Sequence, residues 1–277
     1  MSKAEFRGKF FTVTHTIEKE GPHLTIPHEY YDDTFTISIL LKGSGTCYIE
    51  GNTYSLNEGD FVVLAPDEIR SFKFEQNGYH ERMSLYFSYS ILSPLWEYEL
   101  PLMQIFRNHP SGIGNKYSSN DKVNAILKNI CEIMDDNSIS MKEARINLKI
   151  IELLFAVYDI PTTDDKTLAS DTDSLIWDIC EYIKGNLSKE LSYKHLKEKF
   201  LVSRYQLTEV FYRNTGMTLT EYILHKRLMQ VTSFVRDGMG IENAAYSAGF
   251  HTYSHFYKEF KKRHNISPQK YYKTSRQ

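Results

Sequence analysis

Little in this chain would hold a protein together covalently or carry it into a membrane. Cys47, Cys131 and Cys180 are the only three cysteines in 277 residues. An odd, widely spaced set makes no disulfide framework and fits unpaired thiols in a reducing compartment. No apolar run approaches the ~18 residues of a membrane span, and Met1 to Phe11 lacks a signal-peptide core. The cytoplasm is the expected location, with no membrane partner. There is no P-loop, no H-E-x-x-H zinc motif and no pairing of a nucleophile with a base, so little supports an enzyme. Net charge is nearly absent too, at −2.

That near-neutrality hides an uneven division. From Thr172 onward 17 Lys/Arg face 10 Asp/Glu, whereas residues 1–171 hold 16 basic and 25 acidic residues. A basic tail on an acidic body points to a polyanion partner for the tail and discourages non-specific adhesion by the body. The polar stretch from Pro161 to Asp173 contains one isolated leucine and reads as a connector. The expected division is a first domain over 1–160, a linker over 161–172 and a second domain over 173–277.

The two halves differ in period. Phe35, Ile37 and Ile39 alternate with Thr34, Thr36 and Ser38, as in a strand with one buried face. Turns at Gly43-Ser44-Gly45, Glu50-Gly51-Asn52 and Asn57-Glu58-Gly59-Asp60 separate further short strands, a spacing that suits a sandwich or barrel. After Ser118 the period becomes helical. Val123, Ile126, Leu127, Ile130, Ile133 and Met134 mark one amphipathic helix, and Ile146, Ile150, Leu153, Leu154, Val157 and Tyr158 a second. Everything beyond the connector is helical, so the predicted class is α+β with an all-α C-terminal domain.

Within that domain one pattern is written twice. Ser203, Leu207, Phe211, Gly216, Thr218 and Tyr222 recur 49 positions later as Thr252, Phe256, Phe260, Asn265, Ser267 and Tyr271. Each copy supplies a hydroxyl N-cap, two apolar residues one turn apart, a residue able to take a left-handed stop, a second hydroxyl cap and a packing tyrosine. Two copies are too few for a solenoid, which needs about three or more repeats, and suit a two-headed recognition device. Thr218 and Glu221 form a capping box for the long helix between the heads. In the second copy Ala245 permits close helix crossing and Gly249 supplies the turn. At the matching turn the first copy carries Phe200, so it should be the more irregular.

Ile241, Ala245, Gly249-Phe250, Phe256, Phe260-Lys261 and Ser267-Pro268-x-x-Tyr271 resemble the C-terminal signature of the AraC/XylS transcription regulators. Leu191-Ser192, Ser203, Leu207, Phe211, Thr215-Gly216 and Tyr222…Arg227-Leu228 are similar to that family's first helix-turn-helix unit. Ala244, in place of a larger aliphatic, and Val231, in place of alanine, depart from the pattern without removing a turn or a cap. The resemblance implies two recognition helices entering successive major-groove segments of double-stranded DNA. The outward positions are Arg204, Tyr205, Thr208, Glu209, Tyr212 and Arg213 on the first head. On the second they are Tyr253, Ser254, Tyr257 and Lys258, with Lys261 and Lys262 placed for phosphates. Glu209 accepts from cytosine or pairs with Arg213 along its own helix; Lys258 donates to guanine or only to phosphate.

The N-terminal half resembles the cupin-like sensor domain common in the family, through Pro27-His28, Leu40-Leu41-x-Gly43-x-Gly45 and Gly59-Asp60-Phe61 followed by Pro66. Metal-binding cupins present imidazoles at period-2 spacing. Here His28, Tyr30 and Asp32 stand at that place, and Arg70 at the later one, so neither metal nor cofactor is expected. The resemblance implies instead a small polar or anionic effector, with His28, Tyr30 and Arg70 as candidate contacts. His15, His23 and His80 have no ligand spacing and read as surface residues. In similar regulators helices such as 121–158 pair subunits, so Val123, Ile126, Leu127, Ile130, Ile133 and Met134 are candidates for a homodimer seam; the alternative is that they only cover the barrel, and the two roles are compatible because a stripe wider than one seam can serve two neighbours. An activator of this kind also engages RNA polymerase. The alternatives are a regulator governed by a protein partner or by its own abundance, and more remotely a cupin-type enzyme.

Overall fold

Alternating sequence builds the N-terminal half as two facing antiparallel sheets. The structure, a computed structural model, describes residues 2–18, 24–25, 34–74, 79–106, 110–160 and 171–274. Its strands are β1 (Ser2–Arg7), β2 (Phe11–Glu18), β3 (Leu24–Thr25), β4 (Phe35–Lys42) and β5 (Gly45–Ile49). There follow β6 (Asn52–Leu56), β7 (Asp60–Leu64), β8 (Arg70–Phe74), β9 (His80–Phe87) and β10 (Lys116–Ser118). One sheet runs β1-β2-β9-β4-β7-β10 and the other β3-β8-β5-β6.

Around β4 and β7 the first sheet has no solvated face. Phe35, Ile37 and Ile39 pack outward with Phe61, Val63, Met83, Leu85 and Phe87 in the core that the helices cover. Their neighbours Thr36 and Ser38 are equally buried on the opposite face. The alternation in β4 therefore separates a dry outer core from a hydroxyl-bearing barrel interior, not core from solvent. Thr12, Thr14, Thr16 and Ser84 are buried with them, and Ser38 meets Ser84 across the β4–β9 pair at 2.8 Å between hydroxyl oxygens. Between the sheets Leu40, Cys47, Ile49, Leu56, Val62, Leu64, Phe72 and Phe74 form a second apolar core beside these hydroxyls.

After a short helix α1 (Glu99–Met103), α2 (Asp121–Asp135) and α3 (Lys142–Tyr158) lie against the outer core. The structure places the residues of the expected dimer seam against the barrel. Val123, Ile126, Leu127, Ile130 and Ile133 are all buried within their own protomer, and Met134 packs partly buried against the same cluster. The stripe faces inward because the outer sheet face needs a lid. These six residues cover the barrel.

The helical half consists of α4 (Asp171–Gly185), α5 (Tyr193–Phe200), α6 (Phe211–Thr215), α7 (Leu219–Arg236), α8 (Ile241–Ser247), α9 (Tyr253–His264) and α10 (Pro268–Thr274). It has two small cores, one around Leu196, Leu207, Phe211 and Tyr222, the other around Leu228, Ala245, Phe250, Phe256 and Phe260. α7 contributes to both and thereby sets one head relative to the other.

The halves meet at the β5–β6 hairpin, whose two turn residues Glu50 and Gly51 have φ of 51° and 85°. Two positive φ values make the turn that matches strand twist, and glutamate is an unusual occupant of the first. Its side chain is fully buried. Lys226 donates to Glu50 Oε1 at 2.6 Å, Tyr222 to Oε2 at 2.5 Å, and Lys184 lies 3.0 Å from Oε2. The Ile69 amide also donates to the carboxylate. Burial alone would push this carboxyl up; the charges of Lys226 and Lys184, with the hydrogen bonds from Lys226 and Tyr222, outweigh it and hold it below the ordinary carboxylate range.

Candidate nucleic-acid interface and barrel site

Local capping explains why each head forms. In the first, Ser203 Oγ accepts from the Gln206 amide at 3.2 Å while Gln206 Oε1 accepts from the Ser203 amide at 2.8 Å, a reciprocal box. In the second, Thr252 accepts from the His255 amide at 3.2 Å. The helices stop at left-handed Gly216 (φ 70°) and Asn265 (φ 58°), 49 residues apart. Thr218 and Glu221 complete the capping box that opens α7.

The first head is indeed the less regular, at two places. Its turn residue is Leu201, not Phe200: Leu201 takes φ 53° and leaves its side chain 91% exposed. One residue fewer separates this turn from the N-cap than separates Gly249 from Thr252, so the matching offset slips by one. The recognition helix then opens with a π turn over Gln206–Val210 before α6.

Arg204, Tyr205, Thr208, Glu209, Tyr212 and Arg213 are all exposed, while Leu207 and Phe211 between them are buried. Thr208 returns its hydroxyl to the Arg204 carbonyl at 3.0 Å. Among the described residues no ion pair joins Glu209 to Arg213. On the second head Ser254, Lys258, Lys261 and Lys262 are exposed, and Tyr257 is half-buried. Tyr253 is held in place: its ring lies 5.6 Å from Phe256 and its hydroxyl accepts from Gln269 at 2.7 Å. Arg263 turns away from the outer face to His225 on α7, 2.8 Å from Nε2, and so differs from the neighbouring lysines. His251 and His255 also stand exposed at the opening turn of this head. They were not singled out in the sequence, although their places beside the Thr252 cap could have marked them.

His28 and Tyr30 lie outside the described residues, as does His23. Arg70 is buried and points into the barrel: Nη2 donates to Thr36 on the opposite sheet at 3.1 Å, and the guanidinium lies 6.0 Å from the Tyr86 ring. Arg82 joins it from β9, its guanidinium carbon 4.8 Å from the Phe72 ring. Arg82 and Tyr86 were missed, because only the pairing of β9 with β4 turns them inward. Two histidines read as surface residues prove enclosed. His15 meets Glu81 at 2.8 Å, and His80 is buried, 3.3 Å from Glu18; burial pulls its pKa down, Glu18 opposes this and Arg82 reinforces it.

Two helix-turn-helix units on one shared helix, joined to an antiparallel barrel, define a DNA-binding transcription regulator. Residues 17–154 match the AraC-like ligand binding domain family, and residues 196–274 match a helix-turn-helix domain family. The chain belongs to the AraC/XylS family of regulators. It is 23% identical over 251 residues to the Msm operon regulatory protein of Streptococcus mutans, covering 87% of this chain and 84% of that one. It is 21% identical over 261 residues to the transcriptional activator RhaS of Yersinia pestis, covering 91% of each. A solved structure of ToxT from Vibrio cholerae aligns over 95% of this chain and 98% of its own, with 17% identity and a TM-score of 0.41. Among the described residues no helix is long and apolar enough to cross a membrane.

Proposed function

We propose that this regulator is an activator that reads DNA with both heads and answers to a small polar or anionic effector held in the barrel. The matched exposed faces of the two heads carry the DNA-contact assignment, since the same 49-residue offset that fixes their buried residues also fixes their outward ones. Arg204, Tyr205, Thr208, Glu209 and Tyr212 face bases on one head, and Ser254, Tyr257 and Lys258 on the other; Lys261 and Lys262 take phosphates. Residues 1–160 form the sensor and 173–277 the DNA-binding domain, with RNA polymerase as the activator's further partner and the cytoplasm as its location. Gel shifts of the full chain test the assignment. Tyr205→Ala or Lys258→Ala should change operator preference, costing about 1–3 kcal/mol of discrimination at the affected position. Lys262→Ala should weaken every sequence alike and lower the slope of log K against log salt by about one. Equal losses on all operators from all three variants would refute base reading by Tyr205 and Lys258.

Arg70, Arg82 and the hydroxyls facing them favour an anion or a polyol as effector. The apolar core between the two sheets supports a second reading, in which no small molecule enters and a protein partner or abundance governs activity. Thermal stabilisation by gluconate or inorganic phosphate, lost in Arg70→Met, distinguishes them.

A homodimer would use the outer face of α3. Met141, Ala144, Leu148, Phe155 and Tyr158 lie at the a/d spacing of a coiled-coil seam, whose remaining position, Ile151, is buried against the barrel-side core. Met141, Leu148, Phe155 and Tyr158 are 76%, 67%, 41% and 47% exposed. A twofold axis beside this helix would bury the stripe against its copy. Leu148→Arg with Phe155→Glu should convert the sedimenting species to monomer; an unchanged dimer would exclude this seam.

A further inference from the structure

Strand β8 separates the barrel interior from the first recognition helix, and its side chains alternate between the two. Arg70, Phe72 and Phe74 turn inward: Arg70 reaches Thr36, and both phenylalanines lie in the core between the sheets. Ile69 and Ser71 turn outward. Ile69 packs in the same apolar cluster as Leu207, Phe211 and Tyr222 of the DNA-binding half. Ser71 Oγ donates at 3.0 Å to the carbonyl of Thr215, the last residue of α6. The backbone beside Arg70 is tied on to α7 as well. The Glu50 amide donates to the Ile69 carbonyl at 3.1 Å, the Ile69 amide donates back to the Glu50 carboxylate, and that carboxylate holds Tyr222 and Lys226.

We propose that β8 transmits the state of the barrel to the first DNA-reading head, with Arg70 as the input and Ser71 and the Glu50 cluster as the two outputs. The ligand class is the polar or anionic effector proposed above, and the inference rests on that reading for its physiological trigger. A ligand drawing the Arg70 guanidinium away from Thr36 displaces the strand at the one residue whose two neighbours are both fixed to the DNA-binding half. Because a packed strand moves as a unit, Ser71 and Ile69 follow, and the C-terminal end of the recognition helix shifts with them. None of these bonds reaches α8 or α9, so a shift of α6 against the α7 helix that both heads share changes the placement of one head relative to the other. Such a change alters DNA affinity only through differential binding to the two arrangements.

Hydrogen exchange on the full-length protein tests the link without any ligand. Ser71→Ala removes one hydrogen bond outside the barrel, and Arg70→Met removes the input from inside it, where its guanidinium reaches Thr36. Both should speed amide exchange across residues 211–226 by roughly threefold to tenfold, the scale of one neutral hydrogen bond. Thr14→Val, a change inside the barrel on β2, should leave that segment alone. Arg70→Lys replaces Arg70→Met if the latter fails to fold. The proposal is overturned if the Arg70 variant loosens β4 and β8 while residues 211–226 exchange as in the parent, or if Thr14→Val loosens them equally. A protein still stabilised by gluconate or phosphate, yet showing no response at residues 211–226 to Arg70 replacement, would keep the effector reading and lose the link. A protein with the response and no stabilisation would do the reverse.

Discussion

Gly249→Ala should cripple the second head and Gly238→Ala should not, although both glycines have the same backbone sign. Gly249 has φ 95° and Gly238 φ 98°, a region where an L side chain is strained by roughly 1–2 kcal/mol. The surroundings differ. Around Gly238 a methyl group would meet nothing within 4 Å. At Gly249 it would lie deep inside contact with the Leu187 carbonyl oxygen, and 2.9 Å from Arg227 Nε. Neither obstacle yields easily, because Arg227 Nε donates to that same carbonyl at 3.1 Å and Nη2 to the Lys189 carbonyl at 3.2 Å. The turn of the second head, α7 and the segment that follows α4 converge on one oxygen atom. Adding the clash to the strain, Gly249→Ala should cost about 3–5 kcal/mol, against about 1 for Gly238→Ala. Thermal melts of the full chain and gel shifts on a two-site operator measure both. Similar losses in the two variants would mean that backbone sign alone matters and that the approach of Leu187 does not constrain the turn.

What the sequence revealed is what short-range chemistry determines. The caps at Ser203, Thr218 and Thr252, the stops at Gly216 and Asn265, and the buried pairs Leu207/Phe211 and Phe256/Phe260 depend on neighbours three or four residues away, so their repetition is visible in one dimension. Features set by distant segments were hidden. Thr36 and Ser38 have the alternation of a solvated strand face, and only the opposing sheet makes them interior. Arg82 and Tyr86 face the barrel because β9 pairs with β4 over forty residues of chain. The helix stripe at Val123–Met134 shows that a face will be buried, but periodicity cannot say whether its own barrel or another subunit buries it. Leu201 displaced Phe200 as the turn residue because tertiary packing, not intrinsic turn preference, decided where α5 ends.

Glu50 is the extreme case, a residue that reads as turn punctuation and is wholly enclosed by partners up to 176 positions away. Its replacement should have the other large effect. Glu50→Ala leaves Lys226 buried without its carboxylate, and breaking such a pair costs about 3–5 kcal/mol, mostly for the stranded charge. The loss should first appear as separation of the two halves, read as faster proteolysis between residues 160 and 171 and a lower midpoint of thermal unfolding. Removing the stranded charge as well, in Glu50→Leu with Lys226→Met, should recover much of the deficit; a double variant no better than Glu50→Ala would show that geometry at the left-handed turn, not charge, dominates. Acid supplies an independent test. Because the folded-state pKa of Glu50 lies below its ordinary value of 4.5, its contribution is complete above that value and disappears as pH falls through the folded one. Lys184, raised by Glu50 against the opposing effect of burial, contributes fully below its ordinary 10.5 and loses that contribution only at higher pH. Between these limits the docking of barrel to heads should be independent of pH, and below about 4.5 the parent should lose stability more steeply than Glu50→Gln. Parallel acid profiles for the two proteins would remove Glu50 from the energetics of the interface.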